Sequence, residues 1–493
     1  MKKHGLRYNR RSVLAAVGRT IILSACVGCG GGGGGAPLPA PPSPPSPPPS
    51  PPSPPSPPPS PPPPPSPPPP AALFPLSLAA GVRHLKDSSG APFMMHGDTA
   101  WSLIASLSQS DALVYLDDRR NRGFNTILVS LLEHKFAQNA PANVYGNHPF
   151  LSPGDYTTPN ESYFSHADWV IQQAESRGLL VLLTPSYIGY IGSDEGWYTE
   201  MVANGAAKLR AYGRYLATRF AARRNILWVH AGDDNPPDKS VVRAIADGIR
   251  DVDAATLHTV HCGIDTSGLQ YWSGETWLAV NTVYTRSNIS AATATEYERS
   301  QQMPVFFIEG SYEDEACCGP RVTEEGLRRQ AFHSVLSGAF GHVFGNNPMW
   351  HFAGPGLSSA PTDWRGALNS RGVQTMSHFR TILYQANWPT LVPDLSNAYL
   401  ASGLGAGDAR AVAAVGSDRR AALAYVPTQR AITVNLARLS GPRVSLKWFD
   451  PSNGDYAAID ATPVSNSGSR TLTPPAQNAA GYADWVLLAE SVV

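Results

Sequence analysis

Eight short apolar runs, spaced so that a helix fits between most of them, narrow the fold of this chain more than any other feature. They lie at 93–97, 126–132, 179–185, 226–232, 257–263, 277–284, 305–310 and 341–346. Most are bounded by turn residues and stay apolar at successive positions, as a strand covered on both faces requires. The gaps predict helices at 111–122, 166–178, 206–222, 240–253, 292–301, 324–339 and 372–384, with a glycine closing each of the first two. The gap 264–276 shows no helical period. Eight strands with interleaved helices predict an α/β fold, a (β/α)₈ TIM barrel over residues 71–396. A doubly wound open sheet is the competing arrangement. From 397 to 493 the pattern is all-β, with seven short candidate strands, the signature of a C-terminal β-sandwich.

The first 70 residues cannot belong to either fold. Residues 1–25 place basic residues before the apolar run 12–25, and Leu23-Ser24-Ala25-Cys26 closes it. Small residues before a cysteine suit a lipoprotein signal peptidase, so Cys26 is the expected lipidation site. The run is too short to span a bilayer and is interrupted by Arg19. Residues 26–70 then form a Gly/Pro/Ser-rich linker, with six glycines at 30–35 and 25 of the 47 prolines between 37 and 70. Such a sequence adopts polyproline II and acts as a stalk. The expectation is an exported protein, lipid-anchored to a bacterial membrane. Without its first 25 residues the chain carries 32 basic against 38 acidic residues, which leaves no electrostatic footprint for nucleic acid. Cys262, Cys317 and Cys318 fall in the folded part, where an oxidising compartment permits a pair that sequence does not choose.

A barrel builds its active site at the C-terminal ends of its strands. Those ends carry Asp98, then Glu133 and His134, then Tyr187, then Asp233 with Asp234, then Asn281 and Tyr284, then Glu309 with Tyr312 beyond it, and finally Trp350. Carboxylates and aromatic rings on one rim, with few cations, suit a neutral sugar: rings stack on sugar C–H faces and carboxylates bind hydroxyls. The expected partner is therefore an oligo- or polysaccharide. Glycoside cleavage needs one carboxyl group to protonate the leaving oxygen and a second at the anomeric carbon. Asp233 and Glu309, from strands four and seven, face each other across a barrel mouth and are the expected catalytic pair. Glu309 follows four apolar residues, where a carboxylate is costly to bury without a purpose. Asp98 serves equally as a hydroxyl ligand or a helix cap. Asp234 reads as a cap, Trp101 as packing, and Tyr284 and Trp350 serve as well in the core as at a ligand. The chemistry requires no metal or cofactor.

The motifs, in order, resemble a family. Pro92-Phe93-Met94-Met95-His96-Gly97-Asp98-Thr99-Ala100-Trp101, Arg122-Gly123-Phe124-Asn125, Tyr163-Phe164 with His166 and Asp168, Asn225 through Asp233, Glu309 through Glu313 and Gly338 through His342 are similar to the run of motifs in apiosidase-like catalytic domains, glycoside hydrolase family 140. The resemblance spans about residues 75–395. It implies a retaining enzyme for apiose-containing or related pectic side chains, with Asp233 as acid/base and Glu309 as nucleophile. The pattern departs at Ala231, where the family has a second glycine, at Asp234, and at Cys317-Cys318. The segment around Trp448, Asp450-Pro451 and Gly454 resembles the module called a collagen-binding domain of a collagenase, although nothing in these residues supports collagen binding. Two other functions are weighed: a non-catalytic glycan-binding surface lipoprotein, and a peptidase, for which the chain has neither HExxH nor GxSxG.

Overall fold

The structure is a computed structural model and describes residues 73–317 and 320–492. The signal peptide, Cys26, the stalk and Cys318 lie outside the described residues. The eight runs form eight parallel strands: β1 (Met95–Thr99), β2 (Thr126–Ser130), β3 (Leu180–Thr184), β4 (Ile226–Ala231), β5 (His258–His261), β6 (Asn281–Tyr284), β7 (Val305–Glu309) and β8 (Gly341–Phe344). Each pairs with its chain neighbours save β5 with β6, β8 pairs with β1, and an isolated parallel bridge from His258 to Leu278 brings β5 beside the run leading into β6. This sequential, nearly closed order excludes the doubly wound sheet, whose strand order reverses.

Every residue of all eight strands is buried. Alternate residues serve different layers. Leu128, Leu182, Leu227, Val229, Phe306 and Ile308 share one apolar cluster. Ile127, Val129, Val181, Leu183 and Trp228 pack with helix residues such as Tyr163, Ile171, Leu216 and Ile245 in another. This period of two, apolar in both phases, is why the runs read as continuous.

The helices after the strands are α1 (Gln109–Asn121), α2 (Glu161–Ser176), α3 (Tyr198–Arg219), α4 (Lys239–Arg250), α5 (Gly268–Trp272), α6 (Ile289–Tyr297), α7 (Glu324–Val335) and α8 (Arg371–Gln385). The gap without helical period holds only the five-residue α5. Ser108, Asn160, Asp238, Ser267, Thr323 and Ser370 accept a backbone N–H at helix starts, as N-caps do. The first run divides differently from its expected bounds. Pro92–Phe93 pairs antiparallel with Leu85–Lys86, and the barrel strand starts only at Met95.

The C-terminal part is two antiparallel sheets, one of seven strands beginning at Leu391–Pro393 and one of three. Ala422, Ala424 and Val426 pack between the sheets. Leu423 and Tyr425, from the same strand, pack against Phe332 and Phe379 of α7 and α8. The large sheet is thus apolar on both faces and fastens to the barrel. A buried pair reinforces the contact: Arg328 of α7 donates from Nε and Nη2 to the two oxygens of Asp484, each at 2.7 Å.

Candidate active site

Strand β4 ends on three successive residues of positive φ, Ala231 (64°), Gly232 (140°) and Asp233 (28°). Non-glycine residues in this region cost about 1–2 kcal/mol each, so the turn is held by its surroundings. A Cβ at 232 would fall inside the Tyr187 ring. The glycine therefore lets Tyr187 lie against the turn, and the Tyr187 hydroxyl donates to Asp233 Oδ2 at 2.7 Å. The other oxygen, Oδ1, is buried with no hydrogen-bond partner. Asp234 turns away: its carboxylate accepts the N–H groups of Ile191 and Asn235 and shapes the loop, as a cap would.

Strand β7 supplies Glu309. Strict alternation would place it with Val305 and Phe307, which pack on Ile289 of α6. The pairing instead slips by one residue, from Val283 opposite Phe307 to Tyr284 opposite Glu309. Such an irregularity re-aims a side chain at a strand end, and Glu309 lines the pocket at the barrel mouth.

Between the two carboxyl groups stands His261, the last residue of β5 and fully buried. Its Nε2 lies 2.7 Å from Glu309 Oε2, and its Nδ1 accepts the Asp233 N–H at 3.2 Å. Nε2–H donates to the glutamate, while Nδ1 stands between the Asp233 N–H, which it accepts as a neutral ring, and the Cys262 carbonyl oxygen at 3.1 Å, to which it donates as an imidazolium. Burial opposes an imidazolium here, but Glu309 and Asp233 outweigh it and raise the pKa of His261. Glu309 is itself raised, first by burial and then by the charge of Asp233, while His261 pulls it back.

Sequence reasoning missed His261. The available signal was a polar residue in inward phase at the end of strand five, which the long estimate of that run, 257–263, obscured. Trp101 is also more than packing: it lines the pocket and donates from Nε1 to the Tyr312 hydroxyl at 3.0 Å. The remaining lining includes Ser130, Glu133, Phe136, Glu195, Arg286, Glu315, Trp350 and Leu357.

Of the expected sugar-contacting residues, Glu133, Tyr187, Tyr312 and Trp350 line this pocket. Glu133 also holds its own loop, since Oε1 accepts the N–H groups of His134, Lys135 and Phe136. Four expectations need correction. Asp98 is fully buried and points into the helix layer, where Tyr115 donates to it at 2.8 Å and Arg119 pairs with it at 3.3 Å. Burial pushes its carboxyl up to about 6 against the pull of those partners. Asn281 opens β6 and so lies at the end away from the mouth, where its amide donates to Glu296 of α6. His134 faces a neighbouring depression and sits between the Asp194 carbonyl and Glu200. Tyr284 lines a neighbouring depression, with its ring 5.0 Å from that of His261. Cys262 is buried, and its thiol donates to the Ser267 carbonyl.

Asp233, His261 and Glu309 each bring one donor atom within 4.8 Å of the others, a set that a divalent cation could use. The direct His261–Glu309 hydrogen bond takes up the nitrogen such an ion would need, and the Tyr187 hydroxyl occupies one Asp233 oxygen. The geometry therefore fits a proton-linked pair better than a ligand set.

Residues 79–390 match the family model described as "Apiosidase-like, catalytic domain". The chain belongs to this family. It is a glycoside hydrolase, and its substrate is a carbohydrate. Residues 392–490 match the model described as "Putative collagen-binding domain of a collagenase". Among solved structures, a glycoside hydrolase family 5 protein from Bacteroides vulgatus aligns at TM-score 0.74 and 23% identity, over 84% of this chain and 92% of that one. A second structure, titled glycoside hydrolase, aligns at TM-score 0.74 and 24% identity, over 84% of this chain and 96% of that one. At these identities the likeness is one of fold. No curated protein matches the chain.

Proposed function

We propose that this glycoside hydrolase is a retaining enzyme for apiose-type or related pectic side chains, with Asp233 as acid/base and Glu309 as nucleophile. The carrying observation is the short reach between the two groups. An oxygen of Asp233 and an oxygen of Glu309 lie within 4.8 Å. Retaining pairs stand about 5–5.5 Å apart, whereas inverting pairs leave about 6.5–9.5 Å for a water.

The surrounding bonds divide the roles. The His261 N–H holds Glu309 Oε2 and leaves Oε1 to attack the anomeric carbon. Tyr187 donates to Asp233 Oδ2 and orients the carboxyl at the pocket wall, where it can give its proton to the leaving oxygen. After the leaving group departs, the same carboxylate takes a proton from water, which releases the sugar from Glu309.

The substrate class rests on the family resemblance, and the aromatic walls of the pocket support a sugar ring. The sequence of residues 1–70 supports export and lipid attachment at Cys26, which would hold the barrel on a stalk off the membrane. The test is release of apiose from pectic side-chain fragments, with the anomer of the first product followed by NMR. Glu309→Gln and Asp233→Asn should each lose at least ~10³-fold in kcat/KM while folding normally. A first product of inverted configuration would remove the retaining mechanism. Loss of lipid labelling in Cys26→Ser checks the anchor.

A further inference from the structure

Glu315 lies in the loop after β7, where the sequence departs from the family pattern at Cys317-Cys318. It lines the pocket that holds Asp233 and Glu309. The Trp350 indole donates to its Oε1 at 3.1 Å, and the Cys317 side chain is hydrogen-bonded to it as well. The carboxyl is thus fixed at the pocket wall, on a ring that itself lines the site. The charged groups facing it are Glu309 from β7 and Arg286 from the loop after β6.

We infer that Glu315 is a specificity residue that, in its protonated form, donates a hydrogen bond to a hydroxyl of the sugar ring bound over Glu309. This rests on the reading of the pocket as the site of the reacting sugar. Two arguments carry the protonated form. Trp350 holds the carboxyl at the pocket wall through Oε1, and a protonated carboxyl there offers a substrate hydroxyl a donor as well as an acceptor. A second anion beside Glu309 would also oppose the ionisation that a nucleophile needs. Burial, followed by the charge of Glu309, raises Glu315 to about 7, against the pull of Trp350 and Arg286. The group therefore changes state across the neutral range, and binding through it should weaken as it ionises.

The probe is a 2,4-dinitrophenyl apioside, whose leaving group needs no proton from Asp233, so that a basic limb from the acid/base is absent. Above the acid limb set by Glu309, the wild type should hold kcat/KM level up to neutrality and lose it beyond, mainly through KM. Glu315→Gln, a permanent neutral donor and acceptor, should remove that loss. Its kcat/KM relative to wild type should rise about 30-fold from pH 6 to pH 8.5, as a single ionisation near 7 requires. Glu315→Ala should lose about 10- to 100-fold at pH 6, through a substrate hydroxyl left without a partner. A Glu315→Gln profile parallel to the wild type at every pH, or a wild-type basic limb that falls on the acid side of 7, overturns the inference. If Asp233→Asn and Glu309→Gln stay active on natural fragments, the reading of the pocket fails instead, and the two failures are separate.

Discussion

Lowering the pH from 7 to 5 should destabilise this protein by several kcal/mol, because its interior holds neutral histidines. His258 and His342 are depressed to about 3, and His333 and His351 to about 4, in each case chiefly by burial. His230 and His96 are pushed down in the same way. A depressed base favours folding above its unfolded value of about 6.5, and the stabilisation drains as pH falls towards the folded value. At pH 5 each of the four has forfeited about 2 kcal/mol, or about 8 kcal/mol together. Buried carboxyls work the other way, Glu309 and Glu313 among them, both raised chiefly by burial. Asp98, raised to about 6, and Glu315, raised to about 7, take up a proton in the folded state over the same range. They return about 3–4 kcal/mol between them. With His230 and His96 set against Glu309 and Glu313, the net loss is on the order of 4 kcal/mol, a large share of the 5–15 kcal/mol that holds a typical domain. Urea unfolding followed by far-UV circular dichroism at pH 7 and pH 5 reads the difference. His342, whose ring stacks on Phe307 at 5.8 Å, gives the control: His342→Phe should reduce the pH dependence by about 2 kcal/mol. Equal or greater stability at pH 5 would refute the reasoning.

Other outcomes follow from the site and the domain contact. Gly232→Ala drives a methyl group into the Tyr187 ring and should cost about 100-fold or more in kcat, with an unchanged circular dichroism spectrum. His261→Ala removes the hydrogen bond that restrains Glu309, so the acid limb of the pH–rate profile should move upward; a limb that stays or falls contradicts the assigned contact. Glu309→Gln should raise stability at neutral pH while it abolishes turnover, since a raised carboxyl costs the fold free energy once ionised, and thermal melts at pH 7 check the sign. Asp484→Ala strands the buried Arg328 at the barrel–sheet contact and should cost about 3–5 kcal/mol in chemical denaturation.

Sequence alone determined the kind of fold. Eight runs apolar in both phases can only be strands covered on both faces, and the helical gaps supply the cover. It also placed Asp233 and Glu309, because an acid at the end of an apolar strand is costly to keep for packing alone. It did not give strand ends to the residue. Phe93 turned out to belong to a hairpin, and Asn281 to the far end of β6. Periodicity shows that a run is a strand, but hydrogen-bond partners elsewhere in the chain decide where it stops.

Only the tertiary structure decided which polar residues reach the pocket. Asp98 and Asn281 share the polar character of Tyr187 and Glu133, yet they point into the helix layer, where Arg119, Tyr115 and Glu296 receive them. The slipped pairing at Glu309 and the placing of His261 beside both carboxyl groups are relations between residues 24 to 48 apart in the chain. No local pattern records such relations. They arise when a closed parallel sheet brings separate strand ends around one axis, and there a shift of one residue exchanges the pocket for the core.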